Sequence, residues 1–370
     1  MRLILYLVFI LMPMNIMAKS TLATTDIVDK QQLLRLLDGY IERRHLYTEQ
    51  KEEKIKQLKI KLRIAENNNS RLSILNTIYR EYYTYRYDSA MVYANRGLAL
   101  ALSDNNTYYA TLNRINRAAV LSTGGFYSQA ETLLNEIGEK NVPLQLKQYY
   151  YYTTTWLYSY WESFCDKSEF KDYYRQKKHH FLQLTVNTTH NNYVALYAYF
   201  SGELAILENP LSKTVLRHYT TALNNSPVNS RVHASAAYCI ARYYREMGNM
   251  QLYEKYIVEA AISDMVCPLK ENLALQELST YLYKKDSKYA NYAARYIYIS
   301  MEDAQFYNNR LRMLEISNIL PIIATANQEA LAHKERIVRG VLAVVSFLSL
   351  VLLGMALLGY KQTKWLARSR

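Results

Sequence analysis

The sequence is short of the residues that make tight turns. Ten glycines and six prolines in 370 residues are too few for an all-β chain, whose strands need frequent turns. Cysteine is scarcer still. Cys165, Cys239 and Cys267 stand far apart with no CxxC pair, against a zinc site. In an oxidising compartment Cys239 and Cys267 pair only if they face each other across neighbouring helices; otherwise all three serve as small buried hydrophobes. Catalytic signatures are absent as well. There is no GxSxG, no Walker loop and no kinase set, so no enzyme is expected. The carboxylate pairs Glu203/Glu208 and Glu162/Asp166 sit at helical spacings and read as solvated charge rather than as a glycosidase pair. His179, His180 and His190 do not converge, because adjacent helical positions point roughly 100° apart; they read as part of a basic patch beside Lys177 and Lys178, with no metal and no cofactor. The net charge of +13 is spread along the chain and mixed with acids. Without an arginine-rich arm or an RNA-binding signature it implies a basic solvated surface and no direct nucleic acid binding.

Apolar residues make up half of the chain, enough for a sizeable core, and tyrosine stands out at 37 residues. Its large apolar body and single polar tip suit half-buried positions and binding surfaces. The two ends are the most apolar stretches. Residues 1–18 carry Arg2, an apolar run from Leu3 to Met12, Pro13, and Ile16-Met17-Ala18 before Lys19, the layout of a secretory signal peptide. Gly340 to Gly359 contains no charge and only Ser346 and Ser349 as polar side chains. About 20 apolar residues at roughly 1.5 Å rise match a hydrocarbon core of roughly 30 Å, so 338–360 reads as a transmembrane helix. Lys334, Arg336 and Arg339 precede it, and Lys361, Lys364, Arg368 and Arg370 follow it. The charge bias is slight, and the signal peptide decides the orientation: large domain periplasmic, anchored in the inner membrane, with a short cytoplasmic tail at 361–370.

Between the ends the pattern is helical. Residues 27–66, within an N-terminal segment 19–68, read as one long helix with Leu34, Leu37 and Ile41 in the heptad phase of Ile55, Leu58 and Leu62. Arg44, Thr48 and Lys51 interrupt that phase, against a continuous coiled coil, although the helix is still the candidate for a homodimer contact. From 69 to 302 helix pairs of about 34–40 residues are expected, at 70–103, 107–139, 146–184, 191–224, 231–263 and 269–302. Gly125-Phe126-Tyr127-Ser128-Gln129-Ala130 and Gly248-Asn249-Met250-Gln251-Leu252-Tyr253 mark two turns, with Ala241 and Ala260 as small packing residues; Ala90 and Ala290 mark weaker copies. A small residue at the crossing lets two helix backbones approach. These turns resemble the tetratricopeptide (TPR) pattern, which implies a right-handed α-solenoid of about six pairs with a concave face. A connecting helix at 303–337, kinked at Pro321, leads to the membrane. The fold class is thus all-α: a long helix, a TPR-like solenoid and a C-terminal transmembrane helix.

The densest aromatic stretch runs from Tyr149 to Trp161. On a helix Tyr149, Tyr152, Trp156 and Tyr160 share one face, and Trp161 lies on a neighbouring one with Tyr150 and Leu157. One face is core, and the other is free to present rings to a peptide or a sugar.

Three blocks carry a family resemblance: Leu36 to Arg44 with Tyr47 and Lys51 to Ile55, Tyr87 to Asn95, and Leu311 to Ile323. They resemble a Bacteroidetes family of TPR-containing, signal-peptide-bearing, single-pass membrane regulators. The resemblance implies a coiled coil and a helix-turn-helix-like DNA-binding segment after the membrane helix. This sequence departs there, stopping at Arg370, so that output is not carried over. The expected function is a membrane-anchored periplasmic TPR module for protein–protein interaction, the sensory part of a transmembrane signalling or transcription regulator. The alternative is a scaffold or glycan/peptide-binding module with no signalling output.

Overall fold

Paired helices joined by short turns account for most of the chain. The computed structural model describes residues 30–189, 193–271 and 273–368. Among them are fifteen α-helices and no strand, the TPR-like solenoid and long apolar C-terminal helix expected of the sequence. The signal peptide at 1–18 lies outside the described residues.

The six pairs are α3 (Asn68–Tyr82) with α4 (Tyr87–Ser103), α5 (Thr107–Thr123) with α6 (Tyr127–Ile137), α7 (Lys147–Phe164) with α8 (Lys171–Thr188), α9 (Val194–Glu208) with α10 (Lys213–Asn224), α11 (Arg231–Glu246) with α12 (Met250–Val266), and α13 (Ala274–Lys285) with α14 (Ala290–Tyr307). Local chemistry sets their starts. Asn67, Ser212, Ser230 and Asn249 each accept a backbone N–H of the first turn of α3, α10, α11 and α12, satisfying donors that a helix start otherwise leaves open. Gly125 and Gly248 hold φ of 84° and 75°, a left-handed conformation that costs glycine little. At the crossings Ala90, Ala130, Ala241 and Ala260 are fully buried, and Ala290 nearly so. The fourth pair has no glycine at its turn; it places Gly202 inside α9 instead. A Cβ there would stand 2.7 Å from the Tyr219 ring, so the close approach of α9 and α10 requires glycine.

The chain divides into two compact units. The first comprises 30–122 and 126–269 of the described residues. Its opening differs from the single long helix that the heptad phase suggests. The chain breaks at Arg43 into α1 (Lys30–Glu42) and α2 (Arg44–Ile64), because the two halves serve different partners. Leu33, Leu34, Leu37 and Ile41 of α1 are buried, and α1 packs against α12. Lys30 pairs with Glu254 of α12 at 2.5 Å. α2 turns Ile55 into a cluster with Leu75, Ile78 and Tyr79 of α3. The apolar side of α1 is therefore covered within the chain. Since α1 lies against the last helix of the unit, the array closes on itself around an inner space.

The second unit comprises 123–125, 270–271 and 273–368 of the described residues. The buried Thr123 hydroxyl lies 2.7 Å from the Tyr307 hydroxyl, Ser279 Oγ donates to the Ala293 carbonyl at 2.6 Å, and Lys270 pairs with Asp303 at 2.5 Å. α14 runs past the expected boundary at 302 and ends at Tyr307, followed by Asn308 in a left-handed conformation. α15 (Arg310–Arg368) then continues without a break through Pro321 and the apolar run, so the expected connecting helix and membrane span are one element. Its most apolar 18-residue window has a mean hydropathy of 2.8 and no buried residue. Among the described residues this is the one helix long and apolar enough to cross a membrane.

Candidate functional site

A cavity of about 820 Å³ occupies the inner space of the first unit. Its wall draws on elements far apart in sequence: Tyr47 and Lys51 from α2, Arg80 and Tyr83 from α3 and its C-terminal end, Asn116 from α5, Tyr149 and Tyr152 from α7, and Arg231 from α11. Seven of the lining side chains are tyrosines. Rings of this kind offer flat apolar faces at low conformational cost.

Arg231 organises one side of the wall. It is the first residue of α11, directly after the Ser230 cap, whose hydroxyl accepts from the His233 N–H at 3.3 Å. The capped start aims the side chain back across the array. Its guanidinium donates to the Tyr152 hydroxyl at 3.3 Å and the Tyr160 hydroxyl at 2.8 Å. It also lies over the rings of Trp156, 4.7 Å from the centroid, and Tyr83, at 5.5 Å. Cation–π contacts of this geometry hold a guanidinium in a defined plane. Trp156 is itself stacked on Tyr199 at 6.2 Å, and its buried indole N–H has no partner among the described residues.

A hydrogen-bonded group forms the floor. Tyr149 donates to the Asn116 side-chain oxygen at 2.9 Å, Tyr79 donates to the Asn116 carbonyl at 3.1 Å, and Asn116 donates to Asn76 at 3.2 Å. Burial pushes the Tyr149 phenol up to about 12, opposed by its hydrogen bond with Tyr79 and by the charges of Arg80 and Arg231. This phenol therefore stays neutral at physiological pH. Opposite, Glu81 is shared by Lys51 at 3.3 Å and Lys54 at 2.6 Å. Burial raises the Glu81 carboxyl, but the hydrogen bond from Lys54 and the charges of both lysines outweigh it and leave the group below the usual carboxylate range.

The aromatic residues singled out in sequence separate here. Tyr149 and Tyr152 line the cavity, and Trp156 and Tyr160 surround Arg231. Trp161 sits elsewhere, stacked 4.2 Å from Tyr174 of α8 and 5.7 Å from Tyr127 of α6. Glu162 pairs with Arg175 and Lys178, Asp166 with Lys171, and Glu203 accepts from Tyr219, so these carboxylates are committed to local contacts. His179 and His180 are exposed on α8, and His190 lies outside the described residues. All three cysteines carry free thiols; Cys267 lines the cavity, and Cys239 lies 3.6 Å from Glu203. Sequence reasoning missed Arg231, Arg80, Lys51 and Lys54, because their spacing along the chain says nothing about convergence. The local signal for Arg231 was its place directly after a Pro-Val-Asn-Ser cap.

The family described as the SusR N-terminal TPR domain matches residues 41–318, which is more than half of the chain and includes every residue lining the cavity. No curated protein matches the sequence.

Proposed function

The chain belongs to the family of SusR N-terminal TPR domains, and from that premise we propose that it is the sensory part of a membrane-anchored regulator, receiving its ligand in the inner cavity. TPR arrays act by holding partners on their inner surface, and this family supports a protein–protein interaction module. The observation that carries the reading is the cavity wall, to which α2 and helices from the five pairs of the unit contribute tyrosines and cations. Such convergence of polar groups with apolar faces in a concave space is the general form of a ligand site. A signal peptide ahead of the array would put it in the periplasm, with α15 as a membrane span. The long helix is then the element through which occupancy reaches the membrane. The cavity's size fits a short peptide segment or a glycan better than a folded protein surface, which keeps the binding-module reading as the alternative.

In-cell photo-crosslinking tests the ligand site and captures whatever ligand the cell supplies. A benzoylphenylalanine placed at Tyr83, in the cavity wall, is expected to form adducts. One placed at Val92, exposed on α4, is expected to form none. Absence of any adduct at position 83 refutes the inner cavity as the site.

A further inference from the structure

The charges of the second unit are sorted along its length. At the end where α14 meets the start of α15 they are paired, Lys270 with Asp303 at 2.5 Å and Arg312 with Glu315 at 2.5 Å. The turn between α13 and α14 differs. Lys284, Lys285 and Lys288 stand there exposed against one acid, Asp286, which pairs with Lys288 at 3.2 Å. Lys285 lies over the Tyr281 ring and Lys288 over the Tyr289 ring, 5.3 and 5.1 Å from the centroids. A ring face holds an ammonium in place without cancelling its charge. Tyr283 and Tyr292, both half-buried, flank the turn in sequence.

The position of that turn follows from the hairpin of α14 and α15. Only Asn308 and Asn309 join the two helices, which pack on each other, so they run antiparallel and the start of α14 lies far along α15. The 3-10 turn Ser287–Tyr289 itself contacts α15. Ile323 is the last fully buried residue of α15 and Ala330 the last half-buried one before the apolar run; every residue from 331 to 353 is exposed. The cover given by α13 and α14 therefore ends near Ala330. Gly340, where the apolar run begins, is ten residues further, about 15 Å at helical rise. Lys334, Arg336 and Arg339 occupy that interval. Headgroups extend roughly 5–8 Å beyond the hydrocarbon, so the turn stands about 10 Å from them, close to one Debye length. A tilt of roughly 20° toward that side, usual for a spanning helix, narrows the gap.

We propose that the α13–α14 turn is a second membrane contact, a basic and aromatic foot that rests on anionic lipid headgroups beside the point where α15 enters the bilayer. Six lysines and arginines of the turn and of 329–339 meet three acids, Asp286, Glu329 and Glu335, which leaves three positive charges in excess. An anionic leaflet attracts such juxtamembrane cations, and tyrosine rings settle at the headgroup level. A span on its own leaves tilt and rotation open, whereas packing and interfacial anchors fix them. The foot thus sets the angle at which the second unit stands on the membrane. The proposal rests on the reading of α15 as a membrane span and is independent of the inner cavity.

Photo-crosslinking to lipid tests the foot. Benzoylphenylalanine is placed at Ser287, exposed in the turn, or at Gln305, exposed near the opposite end of α14. The full chain is held in nanodiscs of phosphatidylcholine with or without phosphatidylglycerol, and mass spectrometry counts the lipid adducts. Position 287 is expected to give adducts when phosphatidylglycerol is present. Roughly fivefold fewer are expected in phosphatidylcholine alone, the scale for three lysines about a Debye length from the charged surface. The same fall is expected when Lys284→Gln, Lys285→Gln and Lys288→Gln are combined; all three lysines are exposed, so the variant keeps the bundle. Position 305 is expected to give no lipid adduct. Equal yields at 287 in both lipids, or in the parent and the triple variant, overturn the proposal, and so does the absence of any lipid adduct there. A protein adduct in place of lipid at 287 in whole cells gives the turn to an acidic partner and overturns it too. Loss of the carbonate-resistant membrane fraction, by contrast, removes the span on which the foot rests.

Discussion

Removing the Leu37 side chain should release α1 from α12 without unfolding the rest of the array. Leu37 is fully buried and sits among Leu33, Leu34 and Ile41 on one face of a 13-residue helix. The Lys30–Glu254 ion pair at 2.5 Å adds a polar tie, and partly exposed pairs contribute about 1 kcal/mol or less. A buried Leu→Ala change costs about 2–5 kcal/mol, from lost transfer energy and the cavity left behind. Most of this should fall on the docking of α1, because Leu37 is on the buried face of a helix that packs chiefly on α12. At about 1.4 kcal/mol per decade, amide exchange in residues 30–42 should accelerate roughly 30- to 4,000-fold in Leu37→Ala. Amides of α7 and α8, which pack on each other, should keep their protection. Hydrogen exchange read by mass spectrometry on the full chain resolves the two regions. If exchange at 30–42 does not change, α1 does not close the unit as described. If α7 and α8 lose protection in step with α1, the helix belongs to one global cooperative block, and the reasoning that treats it as a separable closure fails.

Gly202→Ala should lower stability despite the gain of roughly 1 kcal/mol in helix propensity, because the new Cβ meets the buried Tyr219 ring at 2.7 Å and overpacking costs about 1–3 kcal/mol; Gly39→Ala, with nothing nearer than 3.8 Å, should raise it, and a pair of urea titrations compares them. Trp161→Ala should cost about 3 kcal/mol through lost stacking with Tyr174 and Tyr127 while leaving the position-83 crosslink unchanged; loss of that crosslink in the folded variant would put Trp161 in the site. Glu81 has a depressed carboxyl, so its bridge to Lys51 and Lys54 stabilises above the usual carboxylate range and is lost as pH falls through its folded value; the gap in urea midpoint between the parent chain and Glu81→Gln should be largest at neutral pH and should close in acid. Leu350→Arg, in the exposed apolar run of α15, should cost about 2.5–3.5 kcal/mol of membrane insertion, read as a loss of the carbonate-resistant membrane fraction; full retention would argue against α15 as the span.

Most of the repeats were legible because they carry local evidence of their own, although the third pair has neither a turn glycine nor a side-chain cap. Gly125 and Gly248 announce a left-handed turn, alanines at the crossings announce close approach, and Asn67, Ser212 and Ser230 announce starts. All six expected pairs find their counterparts, even the fourth, where Gly202 inside a helix replaces the turn glycine. The first helix was misjudged for a physical reason. Heptad phase records which residues are apolar, not which partner covers them. Leu37 and Ile55 share a phase, yet one faces α12 and the other α3, so the chain must turn at Arg43. The expected boundaries at 302 and 337 failed in the opposite sense, since neither a cap nor a break interrupts α14 at 302 or α15 at 337. In the candidate site the shared face of Tyr149, Tyr152, Trp156 and Tyr160 could be read from helical spacing. The cations opposite them could not, because α2, α3 and α11 meet there only through closure of the array.

That closure changes the meaning of the chain's positive charge. Along the sequence, +13 is spread thinly; in the folded unit, four of those charges share one wall with a single acid. α2, which carries two of those cations, follows α1 directly and itself contacts α12. By linkage, a ligand that binds the closed form alone stabilises it by about 2.7 kcal/mol at a hundredfold excess over its dissociation constant. The ligand captured at position 83, added at that excess, should accordingly slow amide exchange in residues 30–42 of the parent chain roughly 100-fold. No effect on α1 would separate ligand binding from closure and sink the coupling.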